Sequence, residues 1–174
     1  MDTGEWLTRG TVWLALSLYV ACEIAAARRV GESFRAARWL NTAGCAAFLA
    51  HVAAAFHFYH HWSHAAAYAE TARQTAEFSG WNWGGGIYLN YLFALVWLGE
   101  VVWSWANPNG SLQRAKWMTW VARGFFLFMM FNGAVVFVRG GLRWFGLVLC
   151  LLLVGCWWPL RKRNVDPPDV SQPT

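Results

Sequence analysis

The sequence predicts an all-α, polytopic membrane protein with five transmembrane helices and one short external or interfacial helix. Of its 174 residues, 57% are hydrophobic and 13% are charged, whereas soluble domains contain about 25% charged residues. Aromatic residues make up 18% of the chain and include 14 Trp, a content that excludes an intrinsically disordered protein. The composition therefore places most of the chain in a lipid bilayer.

Five apolar stretches reach the roughly 20 residues that a helix needs to cross the hydrocarbon core. They are residues 6–27, 39–61, 83–105, 117–138 and 142–160. Each is predicted to be helical, because the chain lacks the alternating strand pattern of a β-barrel and no other structure satisfies its backbone in lipid. All Trp except Trp13 and Trp97 lie at or near the predicted ends, as indoles at headgroup depth should. Residues 1–163 are thus predicted to form one transmembrane domain.

The distribution of Lys and Arg predicts the orientation in the membrane. One side carries Arg28, Arg29, Arg35, Arg38, Arg114, Lys116, Arg161, Lys162 and Arg163, and the other carries Arg9, Arg73, Arg139 and Arg143. The richer side is predicted to be the cytoplasm. This orientation places the N-terminus outside and the C-terminus in the cytoplasm of a bacterial-type cell inner membrane. Residues 164–174, with three Pro and two Asp, are predicted to be a disordered cytoplasmic tail.

The first apolar stretch is predicted to be an uncleaved span rather than a signal peptide. Arg28 and Arg29 follow it, whereas the basic residues of a signal peptide precede its apolar region. As an alternative, Tyr19-Val20-Ala21-Cys22 resembles the lipobox of bacterial lipoproteins, a resemblance that implies a lipid-modified Cys22.

An external helix is predicted at about 64–79, between the second and third spans. Ser63 is a good N-cap, the following residues are rich in Ala, and Gly80 can end the helix in the left-handed conformation. The run Gly84, Gly85 and Gly86 that follows indicates a tight turn or close packing.

All five histidines, His51, His57, His60, His61 and His64, occur within fourteen residues. If the helix continues through them, the last four stand at i, i+3, i+4 and i+7 and share one face. Pairs at i, i+4 can chelate a divalent ion. We therefore predict a site for a divalent transition metal, copper or zinc, at His57, His60, His61 and His64. Further ligands would come from Glu70, Glu77 or Asn90, or from a second subunit.

Other interpretations of the histidine cluster remain open. The histidines can serve as interfacial anchors, or His51 or His57 can contact a heme or a quinone. No other span carries a histidine, so a heme with two histidine ligands would have to lie between subunits. The segment His57-Phe58-Tyr59-His60-His61 also resembles the H-x-x-H-H box of membrane fatty-acid hydroxylases and desaturases. That resemblance covers five residues and implies a di-iron centre, which in that family uses several such boxes.

Three charged residues fall within predicted spans, near their cytoplasmic ends: Glu23, Glu100 and Arg123. A charge in hydrocarbon costs about 2.5–3.5 kcal/mol, so we predict an intramembrane ion pair between Arg123 and Glu100 or Glu23. The alternatives are a proton or ion relay and snorkelling of Arg123 to the interface.

The sequence favours a non-enzymatic function, since it presents no recognisable set of catalytic residues. It indicates an accessory subunit or a metal-handling membrane protein with a histidine-rich outer-face site on the second span. A small heme- or iron-dependent redox subunit is the alternative. The expected partners are the lipid bilayer and either other membrane subunits or further copies of the chain. Nucleic acid is not expected, because the basic residues lie between spans rather than along one face.

Overall fold

The computed structural model describes residues 3–27, 31–107, 114–138 and 140–165. Throughout these ranges the regular structure is helical, without strands, as the sequence predicted. The helices are α1 (Thr3–Ala27), α2 (Gly31–Phe58), α3 (His64–Ser79), α4 (Gly86–Ala106), α5 (Lys116–Phe131) and α6 (Leu142–Val165). One π-helical turn, Asn132–Val136, extends α5.

Four helical segments in the described part of the chain are long and apolar enough to cross a membrane. They are Thr3–Ala27, Phe34–Phe58, Gly86–Ala106 and Lys116–Val136. In α6 the apolar stretch Leu142–Trp158 is shorter. The chain therefore has the helices of a helical membrane protein, in agreement with the predicted class.

Two differences between the helix boundaries and the predicted spans bear on the predictions made for the histidines and for the tail. α2 ends at Phe58 rather than at residue 61, a difference that changes the interpretation of the histidines. α6 continues to Val165, so the first two residues of the predicted tail are helical. The remainder of that tail, residues 166–174, lies outside the described residues.

The predicted external helix is present as α3, and its ends use the expected chemistry. The Ser63 hydroxyl accepts a hydrogen bond from the Ala66 N–H at 3.2 Å. Gly80 adopts a φ of 76° and its N–H donates to the Ala76 carbonyl at 2.8 Å. The predicted close packing at the glycine run also occurs, since a Cβ at Gly84 would lie 2.4 Å from the Tyr68 carbonyl oxygen.

The five long helices close into a ring. α1 packs against α2 and α6, α2 packs against α4, and α5 packs against α4 and α6. An aromatic cluster fills the centre of this ring, and its members are Tyr19, Phe48, Phe93, Trp97 and Phe126. α3 lies outside the ring and packs against α4.

The contact between α6 and the π-helical turn requires a glycine. A Cβ at Gly146 would lie 2.4 Å from the Ala134 carbonyl oxygen and 2.8 Å from the Ala134 Cβ. Gly155, on the same helix, has no atom within 4 Å of the equivalent position. Gly146 and Gly155 are therefore matched test positions on one helix, one crowded and one open.

We expect Gly146→Ala to lower the free energy of unfolding by about 1–3 kcal/mol, because a backbone atom would have to move. Gly155→Ala should leave stability unchanged or raise it by up to about 1 kcal/mol, because Ala favours the helix. Denaturant unfolding of both variants in detergent measures the difference. Equal stability of the two variants would contradict the close approach of α6 to the π-helical turn.

Candidate functional site at the histidine end of the bundle

A cavity of about 910 Å³ opens among α1, α2, α3 and α4, beside the turn that joins α2 to α3. We call it the histidine chamber. Its lining consists of Thr8, Arg9, Phe48, His51, Val52, Ala55, Phe56, Tyr59, His60, Ala66, Ala69, Glu70, Thr71, Arg73, Gln74, Ile87, Asn90, Tyr91 and Ala94. Small-molecule sites usually measure about 300–1,000 Å³, so the chamber can hold an organic molecule of substantial size.

The lining of the histidine chamber is amphipathic. Apolar groups come from the parts of α2 and α4 that face the bundle, including Phe48, Val52 and Ile87. Polar groups come from all four helices and from the turn after α2, including Thr8, His60 and Glu70. Such a lining suits a ligand with an apolar body and a polar edge.

In the described part of the chain, one ring nitrogen of His51 forms a hydrogen bond and the other has no partner. Its Nδ1 lies 2.7 Å from the Thr8 carbonyl oxygen. Because a carbonyl only accepts, Nδ1 carries the proton in this hydrogen bond, and Nε2 of the neutral ring keeps a lone pair. The Thr8 hydroxyl, in the same lining, is buried without a hydrogen-bond partner among the described residues.

The other four histidines do not share a helix face, which corrects the geometry predicted for the metal site. After Phe58 the backbone turns, and His61 and Trp62 adopt φ values of 46° and 58°. This run of aromatic and His residues has low helix propensity, and Ser63 caps a new helix directly after it. The assumed i, i+3, i+4, i+7 spacing therefore does not apply.

Each of these histidines has its own surroundings. His57 is exposed and its ring packs edge-on against Phe58. His60 is half-buried in the chamber lining, next to Phe56. His61 lies in the turn, and Nδ1 of His64 is 2.9 Å from the Tyr91 hydroxyl. Only His51 and His60 of the five line the chamber.

The predicted metal ligands do not converge. In the described part of the chain, no group of three or more His, Cys, Asp or Glu could hold a metal ion. Of the predicted ligands, His60, Glu70 and Asn90 line the chamber, whereas His57, His61, His64 and Glu77 do not.

Arg73 holds both acidic residues of α3. Its Nε lies 2.9 Å from one Glu70 oxygen and its Nη2 lies 2.5 Å from the other, while Nη1 donates to Glu77. The hydrogen bonds from Arg73 lower the pKa of the Glu70 carboxyl to about 2. Glu70 is therefore an ionised carboxylate with both oxygens already bound.

The charges predicted to lie within the membrane are at the opposite end of the bundle. Arg123 Nη2 lies 2.8 Å from Glu23 Oε2, and Trp157 Nε1 donates to the same oxygen at 2.7 Å. The guanidinium also lies over the Trp120 and Trp157 rings, 5.5 Å from each centroid. The structure thus brings together two of the three predicted residues.

Glu100 does not pair with Arg123. Its carboxylate accepts two hydrogen bonds from Arg114, at 2.6 and 2.7 Å. Both ion pairs line one small cavity of about 100 Å³. Because each carboxylate already has a cationic partner, this end of the bundle is suited to holding helices together.

Sequence reasoning missed the roles of Arg114, Trp157 and Thr8. Arg114 had been counted only as a cytoplasmic charge, and Trp157 only as a headgroup-level indole, although it is buried. The sequence did indicate His51, because an ionisable residue in the interior of a span is a functional candidate by default. Its partner Thr8 had no such signal.

Comparisons of the chain with protein families, curated proteins and solved structures return no match.

Proposed function

We propose that the chain crosses a bacterial-type inner membrane five times, with the histidine chamber on the outer side and the C-terminus in the cytoplasm. Two observations support the fifth span. The apolar stretch of α6, Leu142–Trp158, reaches the lower end of the roughly 17–25 residues that suffice for a span. α6 also completes the ring by packing against α1 and α5. The basic residues Arg161, Lys162 and Arg163 near its end support the cytoplasmic assignment.

We propose further that the protein is a non-enzymatic accessory subunit that binds an amphiphilic ligand in the histidine chamber. The observation that carries this proposal is the 910 Å³ cavity with an amphipathic lining. The cavity is open to the outside of the bundle and has the volume of a small-molecule site, so a ligand can enter it. The histidine site on the second span then consists of His51 and His60.

Handling of copper or zinc is the second candidate function. The observation that favours it is the position of His60 and Glu70 in one lining, close enough for the imidazole to interact with the carboxylate electrostatically. Two such groups are fewer than a stable site needs. The remaining donors would come from a bound ligand or a second copy of the chain.

Filling the chamber should displace the ligand. Ala55 lines the chamber and is half-buried, whereas Ala53, on the same helix, is exposed and does not line it. We expect Ala55→Phe to lower the content of the co-purified ligand about tenfold, equivalent to about 1.4 kcal/mol of binding free energy. Ala53→Phe should leave it unchanged.

The measurement is native mass spectrometry of the detergent-purified protein, combined with metal analysis and mass spectrometry of a solvent extract. A metal lost from Ala55→Phe together with, or instead of, an organic molecule would favour the metal-handling function. If no bound molecule or metal differs between Ala55→Phe and Ala53→Phe, the proposed binding function is wrong.

A further inference from the structure

Building on the ligand-binding function, we propose that the ligand of the histidine chamber is a heme, with Nε2 of His51 as an axial ligand of the iron. Three features of the chamber support a heme. They are the coordination chemistry of the His51 imidazole, the apolar walls beside it and the cation of Arg9.

The hydrogen bonding of His51 is that of a metal ligand. A histidine that binds a metal almost always donates its other ring N–H to a carboxylate, a backbone carbonyl or water, and this contact fixes the ring and its tautomer. In this chain the Thr8 carbonyl accepts the hydrogen bond, at 2.7 Å from Nδ1. Nε2 is the nitrogen that remains for coordination, and His51 lines the chamber. Heme iron is commonly held by such a histidine.

The walls next to His51 suit a flat, apolar macrocycle. The Phe48 ring lies beside the imidazole, with 6.0 Å between the ring centroids. Val52 and Ala55 continue the same helix, and Ile87 and Ala94 contribute from α4. A hydrated divalent ion gains nothing from walls of this kind, whereas a porphyrin buries its faces against them.

Arg9 supplies a cation for the carboxylates of a heme. It follows Thr8 in the sequence and lines the same chamber. Within the described part of the chain, its ion pair with Glu5 at 2.7 Å involves Nη1 alone, so the other donors of the guanidinium can bind a carboxylate. The hydroxyls of a neutral quinol can accept a hydrogen bond from this cation but form no ion pair with it, whereas a carboxylate does both. The iron ligand and the cation therefore favour heme over a quinol.

The path of the chain also places a second histidine at the chamber. No other span carries a histidine, which suggested that a heme with two histidine ligands would lie between subunits. Because the backbone turns after Phe58, His60 lines the same chamber as His51. A single chain thus provides a chamber with two histidines.

Titration of the detergent-purified protein with hemin, read from the Soret band, tests the proposal. We expect saturable binding by the wild type and by His57→Ala, a control because His57 lies outside the chamber lining. His51→Ala should bind hemin at least roughly tenfold more weakly, because loss of the ligand itself costs no less than loss of its outer-shell partner. Added imidazole should restore the Soret spectrum of His51→Ala, and this restoration would also show that the variant is folded.

Several outcomes would overturn the assignment of heme. The assignment is wrong if the wild type does not bind hemin. It is also wrong if His51→Ala and His57→Ala bind hemin with equal affinity. Failure of imidazole to restore the spectrum of a His51→Ala protein with normal thermal stability would remove the axial role. If the wild type binds no hemin but Ala55→Phe still loses a different co-purified molecule, heme is wrong and the binding function stands. If neither hemin nor any chamber-dependent molecule is bound, both proposals fail.

Discussion

Replacing Arg123 with methionine is expected to lower the free energy of unfolding by about 3–5 kcal/mol, the cost of leaving one member of a buried ion pair without its partner. The side chains of Arg123 and Glu23 are only 15% and 13% exposed. The substitution removes the hydrogen bond from Nε to Glu23 at 3.0 Å and the ion-pair contact of Nη2 with the same carboxylate at 2.8 Å. It also removes the stacking of the guanidinium on Trp120 and Trp157. Denaturant unfolding in detergent measures the loss.

An exposed ion pair of the same type provides the control. The Arg9 side chain, paired with Glu5, is 57% exposed, so Arg9→Met should cost no more than about 1 kcal/mol. In a second comparison, Glu23→Gln combined with Arg123→Met should be more stable than Arg123→Met alone. The amide carries no charge and can still accept the Trp157 hydrogen bond. If Arg123→Met costs no more than Arg9→Met, the buried pair does not stabilise the bundle.

The sequence could predict how deep in the membrane these charged residues lie, but it could not determine which of them pair. Hydropathy places Glu23, Glu100 and Arg123 near one side of the membrane, and the cost of a charge in lipid predicts that they pair. Which residues meet depends on how the helices are rotated and ordered in the ring. Glu100 binds Arg114, which precedes α5 and lay in a predicted loop. No property of the sequence alone fixes that rotation.

The ends of α3 could be predicted because their causes are local. Ser63 and Gly80 act on backbone groups within four residues, so their chemistry can be recognised from the sequence. The histidine segment shows the limit of the same approach. Its i, i+3, i+4, i+7 spacing is meaningful only on a continuous helix, and the helix ends at Phe58. Because Ser63 caps a new helix that begins at His64, α2 cannot continue through all four histidines.

The histidine chamber could not be predicted at all, because it is a property of packing. Four helices must leave space between them, and small side chains such as Ala55, Ala66 and Ala94 contribute to that space only once the helices are placed. The sequence did show that His51 lies inside a span. It did not show that Thr8, 43 residues away, holds Nδ1 of that ring.

Replacing Trp97 with alanine is expected to lower the free energy of unfolding by about 3–5 kcal/mol, because it opens a void in the centre of the ring. Trp97 has no exposed surface. Its ring centroid lies 5.2 Å from that of Phe126 and 5.6 Å from that of Tyr19, and its Nε1 donates to Asn41 at 2.9 Å. In lipid, helix association depends on packing and hydrogen bonds rather than on removal of apolar surface from water. The lost contacts therefore account for most of the effect.

Trp103 on the same helix is the matched control. It is 47% exposed, so Trp103→Ala should cost less than about 1 kcal/mol, and unfolding of both variants in the same detergent gives the comparison. Equal costs would show that the aromatic cluster is not what holds the ring closed. The cluster also separates the two cavities, since Phe48 lines the histidine chamber and Tyr19 and Phe126 line the cavity beside the ion pairs. Because Trp97 contacts all three rings, Trp97→Ala should weaken this separation as well as the bundle.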